Sequence, residues 1–228
     1  MRVLKFNCLN SARGANSGRT RIPNLVFGAN NPDAGAGHPG FDQCVSEQAG
    51  PRSIVTKTRS GKWEWRWDFT DEHATLTITQ ADETHPYWFL YEGPVGGKWS
   101  PSTHFFGTNQ SGPRREIPDG RKQLFEQWHW VYVGDATQSL ALLIAQHKTD
   151  QLDDTLWYLR NSEKGLASAD GMIVFGFGRG AGTRALLRGA GLSFRLGFVK
   201  WPVGTVPQPP HETIANVAHD WIENWNLP

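Results

Sequence analysis

From Lys62 to Phe69 the chain reads KWEWRWDF. Tryptophan takes every second position, with Glu64, Arg66 and Asp68 between the rings. A β-strand sends alternate side chains to opposite faces, so this spelling makes one face of three indoles and one of three charges. Burying an unpaired Glu, Arg or Asp costs several kcal/mol, whereas burying an indole is favourable by a few. The Trp row is therefore predicted to face a core and the charged row to face outward. In a curved sandwich, outward can still mean the floor of a groove.

The same period of two recurs in short runs separated by turn residues. Candidate strands are Lys62 to Phe69, Ala74 to Gln80, Tyr87 to Glu92, Trp128 to Gly134, Leu140 to His147, Leu156 to Arg160, Met172 to Gly178 and Leu192 to Lys200. Eight such strands predict an all-β fold, a two-sheet antiparallel jelly-roll sandwich. A chain of 228 residues is long enough for one domain of this kind. Residues 1–50 show no sustained period and read as a poorly patterned N-terminal arm, with the jelly roll over 51–228. Within the arm, Ile22 to Phe27 (IPNLVF) suits an edge strand at most, because Pro23 cannot donate to a ladder. Lys98 to Lys122 reads as a large loop over one end of the sandwich. The run FGFGRGAG at Phe175 to Gly182 is better explained by a strand end with a glycine turn than by a phosphate-binding loop, since no helix of the required kind follows.

The tail differs. In HETIANVAHDWIENW, Ile214, Val217, Ala218, Trp221, Ile222 and Trp225 share one stripe at helical spacing. A C-terminal amphipathic helix over about 211–225 is expected to cover a sheet edge or an open end.

Lys and Arg total 23 against 22 for Asp and Glu, so the chain lacks the basic excess that nucleic acid attracts. No apolar run reaches the roughly 18 residues of a membrane helix, and the first residues carry no signal-peptide pattern. A membrane partner is not expected. Localisation stays open, because a trimmed start would look the same and would allow an extracellular or periplasmic protein. Cys8 and Cys44 either pair or remain separate thiols. The 11 Trp, 12 Phe and 4 Tyr are mostly core filler, with a ligand surface as the alternative.

Carbohydrate binding needs aromatic plates for sugar C–H faces and planar polar groups for hydroxyls. A strand face carrying Tyr87 and Tyr91, or one carrying Gln127 and His129, offers that mix, and so does the outward row with Glu64 and Arg66. Arg114 and Arg115, in the loop sequence PRREIPD, suit a uronate carboxylate, which Arg grips in a bidentate manner. A glycosidase needs two carboxylates about 5 to 10 Å apart. Glu64 and Asp68 stand about 13 Å apart along one strand, so Glu92 on a neighbouring strand is the closer candidate partner. No cofactor is firmly indicated. His147, Asp150, Asp153 and Asp154 have oxygen-rich spacing that could hold Ca²⁺, although a solvated turn is the commoner outcome for such a pattern.

Three short pieces resemble the alginate-lyase-type jelly-roll polysaccharide lyases. They are Arg115-Glu116, Gln127-Trp128-His129, which is similar to that family's Gln-Ile/Val-His strand, and Phe194-Arg195-Leu196-Gly197, which is similar to its Phe-Lys-Ala-Gly. The resemblance implies a β-elimination in which Arg115, Gln127 and His129 bind and neutralise a uronate carboxylate. Val199 stands where that family has its tyrosine, leaving Tyr91 or Tyr132 to shuttle the proton. The resulting expectation is a carbohydrate-active protein acting on a polysaccharide, an acidic one, by β-elimination ahead of hydrolysis. His129, Tyr91, Tyr132 and Glu92 are the catalytic candidates. A non-catalytic carbohydrate-binding module and a structural sandwich without a glycan ligand are the alternatives.

Overall fold

The computed structural model describes residues 24–26, 44–93, 99–116, 124–159, 172–202 and 211–225. Two antiparallel sheets face each other. The smaller has the order β1 (Asn24–Val26), β6 (Trp88–Gly93), β12 (Met172–Phe177), β11 (Asp154–Leu159) and β8 (Leu124–Glu126). The larger runs β2 (Cys44–Gly50), β3 (Ser53–Thr58), β4 (Glu64–Phe69), β5 (His73–Gln80), β15 (Ser193–Lys200), β10 (Leu140–Gln146), β9 (Trp130–Asp135) and β7 (His104–Thr108). From β5 onward the chain passes back and forth between the sheets, as a jelly-roll sandwich requires, and it ends in helix α1 (His211–Glu223). The fold class matches the one the alternation predicts.

Between the sheets lies an aromatic core. Phe89 stacks on Phe194 at 4.6 Å, Phe175 meets Phe177 edge-on at 4.7 Å, and Trp63 meets Tyr87 edge-on at 5.4 Å. The indoles of β4 and of Trp63 just before it turn toward this core as expected: Trp63 is buried, and Trp65 and Trp67 pack half-buried against it. On the opposite face Glu64 pairs with Lys57 at 3.0 Å, and Arg66 pairs with Asp68 at 2.8 Å. Desolvation of three charges would outweigh the burial of three rings in the reverse register, so the pleat settles this way.

The larger sheet is buried on both faces where α1 covers it. Strand β10 reads LALLIAQ, nearly continuous apolar sequence, because Ile144 faces the core while Ala141, Leu143 and Ala145 face the helix. Helix α1 lays Ile214, Ala218 and Trp221 on this second layer, against Trp130, Tyr132 and Val199. Glu212 in its first turn complements the helix dipole.

Several features depart from the sequence reading. Strand β2 begins at Cys44, inside the stretch read as an arm, and β7 lies inside the segment read as a large loop. Both are short or polar runs whose pairing depends on a neighbouring strand rather than on their own pattern. β1 does form an edge strand, pairing Asn24–Val26 with Leu90–Trp88. Cys44 is disulfide-bonded; Cys8 lies outside the described residues. At FGFGRGAG, Gly178 turns with φ of 65° between β12 and a two-residue hairpin formed by β13 (Arg179–Gly180) and β14 (Arg184–Ala185). No helix among the described residues is long and apolar enough to cross a membrane.

Candidate functional site

Helix α1 packs over β9, β10 and β15 but leaves the outer face of β4 and β5 open. There the pleat points polar side chains outward in two cross-strand rows. Asp68, Thr75 and Arg195 are register partners on β4, β5 and β15, and so are Arg66, Thr77 and Ser193. All of these except Arg66, together with Ser53, His73, His147 and the helix-end Trp225, line a trough of about 580 Å³. Its floor is rigid sheet, and its wall is the carboxyl end of the last helix.

Arg195 is the unusual member. Its residue is 4% exposed, yet no carboxylate among the described residues comes within ion-pair distance of it. Its Nε donates to Thr75 Oγ1 at 3.2 Å, Nη1 to the Trp221 carbonyl at 2.7 Å and Nη2 to the Trp225 carbonyl at 2.8 Å. The guanidinium lies over the Trp225 ring, 4.5 Å from its centroid. Charge at the carboxyl end of a helix is favourable when positive, which explains how a buried cation persists there without an ion-paired acid. Burial pulls its pKa down, and Asp220 opposes that.

Two imidazoles flank this cation. His147 stacks on Trp225 with centroids 4.8 Å apart and planes 13° from parallel. His73 sits 5.4 Å from Trp221, with Nδ1 3.2 Å from Thr70 Oγ1. Burial, assisted by the Arg195 charge, lowers the His73 pKa from 6.5 to about 4. His147 is also lowered, by burial and then by Lys148, Arg195 and His129. Both rings are therefore neutral near pH 7 and can accept a proton. Asp68, the trough's carboxylate, is held by Arg66 Nε at 2.9 and 2.8 Å and receives the Ser53 hydroxyl. Thr77 and Ser193 share a hydroxyl–hydroxyl bond of 2.9 Å on the floor.

The residues singled out from sequence are distributed differently. Glu64 and Arg66 lie on the outer face beside the trough, Arg66 bracing Asp68 and Ser53 and Glu64 engaged by Lys57 and Thr79. Tyr87 is fully buried and donates to the Gly189 carbonyl at 2.9 Å, so it offers no plate to a ligand. Tyr91 packs against the core opposite Phe175, and burial pushes its pKa up to about 12. Tyr132 is buried beneath the helix with its hydroxyl 3.1 Å from His211 Nδ1, and burial raises its pKa too. The backbone of Glu92 pairs with Val174 in β6; its side chain lies outside the described positions.

Arg114 binds the Ser111 hydroxyl and lies over Phe106, whereas Arg115 turns away to the carbonyls of Pro101 and Ser102 at 3.1 and 2.8 Å. Gln127 donates to the Gln151 carbonyl at 3.0 Å. His129, its pKa lowered by burial, stands close enough to His147 to influence it electrostatically. None of Tyr91, Arg115, Gln127 and His129 lines the trough. The three residues that the resemblance implies and the stand-in tyrosine are not gathered there; Arg115 and Gln127 are each held by local carbonyls.

The proposed Ca²⁺ ligands are engaged by other partners. Asp154 is buried and accepts the backbone N–H groups of Trp128 and Gly178, each at 2.7 Å, while Asp150 accepts the Leu152 N–H. His147 is stacked on Trp225. Among the described residues no group of three or more His, Cys, Asp or Glu is placed to hold a metal ion.

Sequence reasoning did not select His73, Arg195 or Trp225 for this site. One signal was present: Arg195 interrupts SFRLGFVK, a strand whose other residues from Ser193 to Gly197 are buried. A lone cation in a run buried on both faces needs a specific partner.

No protein-family model matches the chain, and no curated protein matches its sequence. Solved structures show distant similarity. One is reported as a crystal structure analysis of HI1317, at 12% identity and TM-score 0.44, covering 68% of this chain and 65% of that one. Another is a GH31 family sulfoquinovosidase from E. rectale in complex with the aza-sugar inhibitor IFGSQ, at 7% identity and TM-score 0.34, covering 68% and 23%. A third is a bacterial glucoamylase complexed with acarbose, at 9% identity and TM-score 0.40, covering 90% and 31%. The chain thus spans less than two thirds of the length of each.

Proposed function

We propose that this protein is carbohydrate-active and that its trough receives an acidic glycan, a sugar ring bearing a carboxylate, for β-elimination. The observation that carries this reading is the pairing of a buried guanidinium with two neutral imidazoles on one sheet face walled by an indole. Phe69 supplies apolar contact, and the hydroxyls of Thr75, Thr77 and Ser193 supply partners for sugar hydroxyls.

In the elimination, His73 or His147 takes the proton on the carbon next to the carboxylate. The electron pair released forms a carbon–carbon double bond, and the neighbouring glycosidic C–O bond breaks. The departing oxygen takes a proton, so one chain becomes an unsaturated end and a new hydroxyl end. A cation at the carboxylate favours the step, because negative charge develops there in the transition state. Hydrolysis suits the lining less well. It calls for two carboxylates about 5 to 10 Å apart, and the trough's carboxylate, Asp68, is tied to Arg66.

Incubation with a panel of polyuronates and neutral glycans tests this, following ultraviolet absorbance of an unsaturated product together with new reducing ends. An absorbance rise on a polyuronate is the expected result; reducing ends without that absorbance would point to hydrolysis instead. A second reading, a non-catalytic binding module, is favoured by the engagement of Asp68 in an ion pair. Binding without either signal would select it.

A further inference from the structure

We infer that Arg195 anchors the ligand's carboxylate and that Trp225, in the turn just past the end of α1, is the residue that positions it. The inference rests on the carbohydrate reading of the trough and assigns its charge-recognising atom. A guanidinium carries five N–H donors. Three described bonds occupy Nε, Nη1 and Nη2 once each, to Thr75, Trp221 and Trp225. One N–H on each terminal nitrogen has no bond assigned to it by these three. Two such N–H groups on neighbouring nitrogens form the fork that matches the two oxygens of a carboxylate.

All three acceptors are neutral, so the cation's charge is not cancelled by its own anchors. The carbonyls of Trp221 and Trp225 fix the plane of the guanidinium, and the indole beneath it at 4.5 Å prevents it from swinging away. The same indole stacks with His147 at 4.8 Å. Trp225 therefore orients the carboxylate anchor and one candidate base together. Asp220 favours the charged guanidinium, and the other cations do not replace its role: Arg66 is committed to Asp68, and Arg52 lies 3.0 Å from Asp71 at the rim. His73 and His147 are neutral near pH 7 through burial. A lysine at 195 would keep the charge but lose the planar fork.

The test is calorimetric binding of trimeric oligouronates (galacturonate, glucuronate and mannuronate) and of neutral trisaccharides to the full chain, alongside the unsaturated-product assay. Arg195→Lys and Arg195→Gln are expected to weaken oligouronate binding at least tenfold and any neutral-trisaccharide binding by less. Because Arg195 also caps the helix, Trp225→Phe is measured in parallel. It retains the Trp225 backbone carbonyl and an aromatic ring, and is expected to cost a few-fold on uronates alone. Circular dichroism confirms that each variant is folded.

Arg195-dependent uronate binding with no unsaturated product supports the anchor and removes the elimination reading. Unsaturated product formed with unchanged KM and kcat in Arg195→Gln overturns the anchor and keeps the elimination. Equal losses on acidic and neutral sugars in Trp225→Phe make that ring a sugar platform and overturn its positioning role. Absence of uronate binding by the wild-type chain overturns both.

Discussion

A methyl group on Gly197 would stand 2.6 Å from Cη2 of Trp221 and 2.5 Å from the Glu72 carbonyl oxygen. The bare glycine of β15 is what lets α1 settle onto the sheet, and the Trp221 carbonyl delivered by that contact is one of the anchors of Arg195. Helix packing and the candidate site are thus one arrangement. Gly197→Ala is expected to destabilise the protein by about 1–3 kcal/mol through overpacking, and to weaken uronate binding in the same variant. Chemical denaturation and calorimetry read the two effects; a stability loss with unchanged binding would separate the helix from the site.

Asp154 joins two parts of the sandwich by accepting N–H groups from Trp128 and Gly178 while wholly buried. Asp154→Ala strands both donors, at about 1–3 kcal/mol each. Urea denaturation is expected to show a lower midpoint with little change in m-value. Added Ca²⁺ should not restore it, since the carboxylate serves backbone donors.

His73 makes stability pH-dependent. Its pKa is lowered from 6.5 to about 4 on folding, so between those values the unfolded chain binds the extra proton and the folded chain does not. Stability is then full above about pH 6.5 and declines as pH falls toward 4. Burial lowers the pKa values of His104, His129, His147 and His211 as well, and those shifts add to the decline in the same direction. The raised carboxyls of Asp154 and Asp150 act in the opposite direction, so the His73 contribution is read as a difference: His73→Gln should lose less melting temperature on acidification than the wild type. An equal loss would mean that His73 titrates alike in both states.

Tyr91 and Tyr132 are expected to be dispensable for proton transfer. Burial raises both phenol pKa values, and neither ring lines the trough. Tyr132→Phe should cost about 1 kcal/mol for the bond to His211, and both Phe variants should retain turnover on any polyuronate the wild type cleaves. A hundredfold loss of kcat in either, with normal melting, would return the tyrosine to the mechanism.

The period-two spelling of KWEWRWDF was sufficient to orient β4, because desolvating charge is costlier than exposing ring surface and no neighbour can reverse that sign. The stripe from Ile214 to Trp225 likewise announced a packed helix. Strands β2 and β7 were not legible, since a short polar or irregular run becomes a strand only when a partner offers it a ladder. The site was less legible still. Arg114, Arg115, Gln127 and His129 have suitable chemistry, but each side chain found nearby acceptors or a half-buried niche that local sequence does not specify.

By itself, then, the sequence determined the pleated sandwich, the direction of its indoles and the amphipathic tail, because these follow from the periodicity of a chain partitioning between water and an apolar interior. Only the tertiary structure decided which outward groups meet. Arg195 and Trp225 are separated by 30 positions yet share a hydrogen bond and a ring contact, and that meeting depends on where the helix docks across the sheet.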